Sequence, residues 1–287
     1  MFGALESRPL RSSDIPFINL QYLSCCDSTV DPTMVWGTEV DADNLLEFVK
    51  RCNRTAETLI SPAHVLIKAV ANSLQYYPEL NCRIIGGRIY RFRDINVRII
   101  HYGVASSEVN IVTLFKANQL GLEEISQTLW QSQLHIVQGG HDRFDKQILE
   151  FGPLWFRRVV SRTFWWLDRT VRLPRINRID RHLDSSVMVN YLGHAGLPPM
   201  RAYKPSKFPD ESSLLNVTMG RSEQAAVVRD GKVVIRRVAP LFIRADHRVT
   251  DAHQLGRFVA ALRENLENAE ALGVQLTSSQ LAPAKVA

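Results

Sequence analysis

The sequence predicts an α/β fold, and three observations carry that prediction. Short β-branched runs alternate with amphipathic helical patterns along the chain. Two glycine-bearing turns, Gly86-Gly87 and Asp230-Gly231, each separate a pair of strand-like runs, as hairpin turns do. The composition, 45% hydrophobic and 22% charged over 287 residues, is that of a globular chain rather than a disordered or membrane-spanning one. No apolar run reaches the ~18 residues needed to cross a bilayer.

The elements follow in order. Met34 to Val40 reads as a strand, and Asp41 to Arg51 as a short helix with Asp41 or Asp43 as its cap. Ser61 suits an N-cap and Pro62 a first helical position, after which Val65, Leu66, Ala69, Val70 and Leu74 recur at helical spacing. Pro78 closes that helix. Cys82–Ile85 and Arg88–Phe92 form the first hairpin, Asn96–His101 a further strand, and Leu120–Gln138 an amphipathic helix. The second half is richer in strands: Ser186–Leu192, Leu214–Met219, the hairpin Ala225–Arg229 and Lys232–Val238, and a short apolar strand Leu241–Ala245. A long helix from about Asp251 to Ala271 turns Leu255, Phe258, Val259, Leu262 and Leu266 to one side.

The formal net charge is +6, and its placement matters more than its size. Between Pro153 and Arg181 stand eight Arg against two Asp, so the whole excess sits in one segment. That argues against a broad nucleic-acid surface and for one special helix. Over 153–172, Arg157, Arg158, Ser161, Arg162, Asp168, Arg169 and Arg172 share one side of a helical wheel. Trp155, Phe156, Val159, Val160, Phe164, Trp166, Leu167 and Val171 share the other. Trp165 falls among the charges, and Pro174 marks the end. Three readings stay open for this helix: packing on the sheet or a neighbouring subunit, lining a tunnel for a bulky acyl group, and contact with an acidic membrane surface.

Cys25, Cys26, Cys52 and Cys82 show neither metal-ligand spacing nor a disulfide framework, so no metal is implied and the setting is read as reducing and cytoplasmic. The start of the chain lacks the layout of a signal peptide.

The stretch suited to chemistry is Ala245-Asp246-His247-Arg248-Val249-Thr250-Asp251-Ala252, where an apolar strand hands over to a helix. A histidine near a strand end is more often structural than catalytic. Here it stands between two carboxylates and beside an arginine, and an imidazole serves as a general base near neutral pH.

This D-H-R-x-x-D run, followed by a long amphipathic helix, resembles the active-site signature of the dihydrolipoamide acyltransferases, the catalytic cores of the 2-oxo acid dehydrogenase complexes. It is similar also to the H-H-x-x-x-D-G of the chloramphenicol acetyltransferases. The Gly that ends the family pattern is Ala252 here. Lys68-Ala69-Val70-Ala71 and Tyr77-Pro78-Glu79-Leu80-Asn81 resemble the family's K-A-x-A and P-E-L-N stretches. The resemblance implies a two-layer sandwich of mixed β-sheet and helices, like chloramphenicol acetyltransferase. It also implies a homotrimer whose active sites lie between chains.

In chemistry, it implies His247 as general base, taking a proton from the acceptor that attacks an acyl thioester. Asp251 corresponds to the family's structural carboxylate. The oxyanion donor, a Ser in the family, falls on Asn190 within Val189-Asn190-Tyr191-Leu192-Gly193, and an amide N–H can serve as that donor. Asn216-Val217-Thr218-Met219-Gly220 resembles the acetyltransferases' F-T-M-G strand and assigns Thr218 a place near the transition state. Arg248 is expected in an ion pair rather than on substrate, and His253 and His194 on the surface.

The domain plan is an arm at 1–33, an acyltransferase-like domain at 34–272 with a basic aromatic insertion at 153–181, and a tail at 273–287. This is expected to be a free-standing relative without a lipoyl domain. The implied substrate is a coenzyme A or carrier-protein phosphopantetheine thioester, the acceptor a thiol, hydroxyl or amine. The alternative is a non-catalytic relative kept as a binding or assembly module, which Asn190 and Ala252 favour.

Overall fold

The structure is a computed structural model that describes residue 6 and residues 8–15, 32–102, 109–137, 153–171, 184–193 and 213–273. Arg172, Pro174 and His194, the Cys25-Cys26 pair and the tail after Gly273 lie outside the described residues.

Among the described residues, a short 3₁₀ turn at Ser12–Asp14 precedes β1 (Thr33–Asp41), α1 (Asp43–Thr55) and α2 (Pro62–Leu74). The hairpin β2 (Cys82–Ile85) and β3 (Arg88–Arg91) follows, then β4 (Val97–Tyr102), β5 (Val109–Leu114), α3 (Leu122–Val137) and α4 (Leu154–Thr170). The last third holds β6 (Val187–Tyr191), β7 (Leu215–Met219), β8 (Glu223–Arg229), β9 (Lys232–Asp246), α5 (Ala252–Glu267) and α6 (Ala269–Gly273).

The main sheet runs β1-β9-β7-β6-β4-β5, with β8 pairing the first half of β9. The β4–β6 and β6–β7 pairs are parallel and the others antiparallel, so the sheet is mixed. Alternate residues build one apolar face: Val97 and Ile99, Val187 and Val189, Leu215 and Val217, Leu241 and Ile243. Against it lie Leu45 of α1, Val65, Leu66 and Val70 of α2, and Leu255, Phe258 and Leu262 of α5. Each fully buried Leu, Val or Phe there contributes ~1.5–3 kcal/mol. The outcome is the expected two-layer α/β sandwich.

Both hairpin turns follow from their residues. Gly86 and Gly87 have φ of 55° and 71°, Asp230 and Gly231 51° and 74°, which is the left-handed pair a two-residue turn requires. The expected Ser61-Pro62 start of α2 is present, with His64 Nδ1 accepting from the Ser61 N–H at 3.2 Å. The Lys of the K-A-x-A stretch is architectural. Lys68, 2% exposed, donates to the carbonyls of Asn118 (2.9 Å) and Leu120 (2.7 Å), and burial lowers its ammonium pKa. The P-E-L-N stretch is a turn that delivers β2, with the Asn81 N–H on the Pro78 carbonyl.

Five expectations are corrected. Ala42 takes the N-cap of α1, while Asp41 accepts from the Asp43 N–H at 3.2 Å one step earlier. Val109–Leu114, for which the sequence predicted no element, is edge strand β5. Leu241–Ala245 is the second half of one 15-residue strand, because Pro240 does not break it. The Pro240 carbonyl accepts from the Gly220 N–H, so its nitrogen, on the same side, falls between the end of the β8 pairing at Val238 and the start of the β7 pairing at Leu241. No ladder donor is lost there. The long helix is two, divided at Asn268.

The fifth correction concerns α4. Its period is as expected but its orientation is not. Asp168, which the helical wheel groups with the arginines, is 2% exposed and accepts from Arg83 of β2, which also reaches Asp184 just before β6. With Asp168 inward, Trp155 and Trp166 face outward, 67% and 61% exposed. A buried ion pair and the half-buried Val160, Phe164 and Leu167 face inward.

Candidate active site

The D-H-R-x-x-D run folds into a tight turn fixed from both ends. Asp246 closes β9 with its N–H on the Leu214 carbonyl (3.1 Å), and its own carbonyl accepts from the Val249 N–H (3.1 Å). Its carboxylate, almost fully buried, takes three bonds from one residue: the Arg248 N–H (3.0 Å), Nε (2.9 Å) and Nη2 (2.7 Å). Fork-on-carboxylate pairing of this kind is the strong, directional form of the interaction. Arg248 therefore forms the expected ion pair, with Asp246 as partner. The His247 N–H donates to the Pro32 carbonyl at 2.8 Å, which ties the half-buried histidine to the segment entering β1. Asp251 caps α5, its Oδ1 accepting from the Gln254 N–H at 2.8 Å. Backbone and side chain of the turn are thus both committed on either side of His247.

Asn190 and Thr218 are register partners across the parallel β6–β7 pair. They lie on the sheet face opposite the helices, since their neighbours Val189 and Val217 point into the core. The Thr218 hydroxyl lies 3.2 Å from Asn216 Oδ1, to which it donates. Asn190 Oδ1 is buried with no hydrogen-bond partner among the described residues. Just beyond, the Tyr191 ring lies against Gly193, where a Cβ would clash with the ring and its hydroxyl. Burial pushes the Tyr191 phenol up, against a smaller opposing pull from Arg221.

One chain does not bring the two halves together. Phe242 of β9 is level with Thr218, and Thr218 with Asn190. His247 stands five residues further along β9, about 17 Å at ~3.3 Å per residue, and two strands across at ~4.8 Å each. No side-chain rotation spans that distance.

The same sheet face carries residues that the sequence reading did not single out. Arg98, Met188, Asn216 and Arg244 form one lateral row across β4, β6, β7 and β9, and both arginines are 4% exposed. Phe242 covers Gly37 of β1, where a Cβ would meet its ring at 2.9 Å. The signal was present in strand alternation, since Arg98 falls between Val97 and Ile99, and Arg244 between Ile243 and Ala245.

Several comparisons bear on this geometry. No curated protein sequence matches the chain. Among solved structures, a probable dihydrolipoamide acetyltransferase from Listeria monocytogenes superposes with a TM-score of 0.62 at 15% identity, covering 96% of this chain and 97% of that one. The dihydrolipoamide acetyltransferase of Azotobacter vinelandii gives 0.60 at 16%, covering 88% and 87%. A chloramphenicol acetyltransferase gives 0.52 at 14%, covering 86% and 93%. At these identities the likeness is one of fold. The family model for the 2-oxoacid dehydrogenases acyltransferase (catalytic domain) matches residues 27–131 and 208–274, more than half of the chain. Thr218, His247 and Asp251 fall inside the match, while α4 and Asn190 fall between its two blocks. By that match the chain belongs to the catalytic-domain family of the 2-oxoacid dehydrogenase acyltransferases.

Proposed function

We propose that this protein transfers an acyl group from a thioester to a thiol, hydroxyl or amine, with His247 of one chain and Asn190 and Thr218 of a neighbouring chain completing each site. The observation that carries the reading is the position of His247, one residue past an inner strand of the sheet and clamped by the Asp246–Arg248 pair and the Pro32 carbonyl. The family match and the D-H-R-x-x-D run support the same assignment. Support also comes from the Azotobacter relative, whose mechanism was studied through a serine, a histidine and an asparagine, the last two spaced as His247 and Asp251 are.

The step balances without a covalent acyl-enzyme. His247 accepts the proton of the acceptor, whose heteroatom attacks the thioester carbon. The carbonyl oxygen becomes an oxyanion, which the Asn190 amide stabilises. Collapse breaks the C–S bond, and the leaving thiolate takes the proton back from His247. Coenzyme A or a carrier-protein phosphopantetheine arm is the proposed thiol, the complete site is proposed to need a homotrimer, and the setting is proposed to be cytoplasmic. The ~17 Å offset within one chain supports sites shared between chains.

The test is thiol release from acetyl- and longer acyl-coenzyme A, with and without candidate acceptors. His247→Ala should lower the rate by about 10²–10⁴-fold while the thermal transition stays in place. Turnover equal to that of the parent chain would remove His247 as the base, and no thiol release by the parent chain from any donor would leave the non-catalytic binding module as the reading.

A further inference from the structure

We propose that the outward face of α4 docks on an anionic lipid bilayer. The helix lies between the two blocks that the family model matches. One inner contact is the buried Arg83–Asp168 pair. That anchoring fixes the rotation of the helix and turns Trp155, Val159 and Trp166 outward in one line, with Phe156 beside them. The three are 67%, 56% and 61% exposed, and side by side they form a contiguous apolar patch of the kind that marks a contact surface.

Charge selects the occupant. Arg158 and Arg162 are exposed along one edge of the apolar line. The one acidic residue of α4 is Asp168, and it is turned inward and paired with Arg83. The outward face is therefore cationic and aromatic with no acid among its described residues. Indole rings at headgroup depth and guanidinium groups on lipid phosphates match such a face. A two-fold pairing with a second copy would bring the same cationic face to both sides of the contact. Single-stranded nucleic acid would use stacked rings along a groove, whereas this face is a convex helix with an aliphatic residue at its centre. No described helix is long and apolar enough to cross a membrane, so the contact is one of surface docking.

The experiment is co-sedimentation of the full chain with vesicles of phosphatidylcholine alone or with about one-third phosphatidylglycerol, at low and high salt. Binding to the anionic vesicles, weakened by salt, is expected. Arg158→Gln with Arg162→Gln should weaken it about thirtyfold. Trp155→Ala with Trp166→Ala should weaken it more than about tenfold even at low salt. Circular dichroism and light scattering on each variant complete the set, and both are expected unchanged because the residues are exposed. Failure to bind anionic vesicles, or equal binding by parent and variants, overturns the proposal. So does a fall in solution mass in the tryptophan variant, which would assign the face to a subunit contact. Binding to single-stranded DNA without vesicle binding would overturn it in favour of nucleic acid.

Discussion

Asn190 and His247 stand at opposite ends of one sheet, about 17 Å apart along the strands and two strands apart across them. The offset follows from strand direction. β6 and β7 run parallel and display Asn190 and Thr218 near their C-terminal ends. β9 runs antiparallel to β7, so its own C-terminal end, with His247, arrives beside the start of β7.

Mixing tests this separation. His247→Ala and Asn190→Ala chains should each be inactive alone, the second losing about 2.7–4 kcal/mol of barrier stabilisation. Together, after subunit exchange, they should regain a fraction of parent activity. No recovery with exchange proven by mass would refute shared sites. Light scattering should give the mass of a trimer, and a stable monomer at assay concentration would contradict the proposal.

Arg248→Ala should leave the Asp246 carboxylate buried without its fork. We expect a loss of about 3 kcal/mol in urea unfolding, and thiol release falling with the loosened turn. Arg248→Lys keeps the charge but not the bidentate geometry and should recover part of the stability only. A variant as stable as the parent would show that the turn is held elsewhere.

Asp251 separates capping from charge. Asp251→Ala should cost about 1 kcal/mol by stranding the Gln254 N–H, whereas Asp251→Asn keeps an acceptor and should cost a few tenths. If the residue serves the loop only by position, Asp251→Asn retains turnover. A large drop in turnover with unchanged stability would give its charge a direct role.

Tyr191 carries a pH signature. Its phenol is pushed up by burial, so the folded chain resists ionisation that the unfolded chain allows from about pH 10. Between the two pKa values the folded state holds more protons, and stability should fall as pH rises above 10. Tyr191→Phe should flatten that limb, and a limb unchanged in Tyr191→Phe would mean that another group sets it. Gly193→Ala would drive a methyl into the ring and should destabilise the C-terminal end of β6 beside Asn190.

Local chemistry was legible in the sequence and long-range pairing was not. The Gly86-Gly87 and Asp230-Gly231 turns, the Pro62 helix start and the buried stripe of α5 depend on neighbours in the chain, and the structure has them where the residues put them. β5 was missed because Val109-Asn110-Ile111-Val112-Thr113-Leu114 is a short apolar run with no clear alternation. The break at Asn268 was hidden because Ala269 and Leu272 continue the buried stripe past it. The rotation of α4 depends on Arg83, which no helical wheel contains. The separation of His247 from Asn190 depends on which strands pair in parallel.

Arg83 reaches carboxylates 85 and 101 positions away in the chain. Closing loops of that length adds little to the final free-energy balance, about 0.6 kcal/mol per doubling, but it delays the contact in time. α4 lacks this ion pair until the β2–β3 hairpin has formed, so it should join late in the order of folding. It should also leave first: amide hydrogens in α4 should exchange through a partial opening, well below the energy of global unfolding, while those of β7 and β9 wait for the whole molecule to unfold. The molecule would then spend part of its time with its catalytic body intact and this helix released.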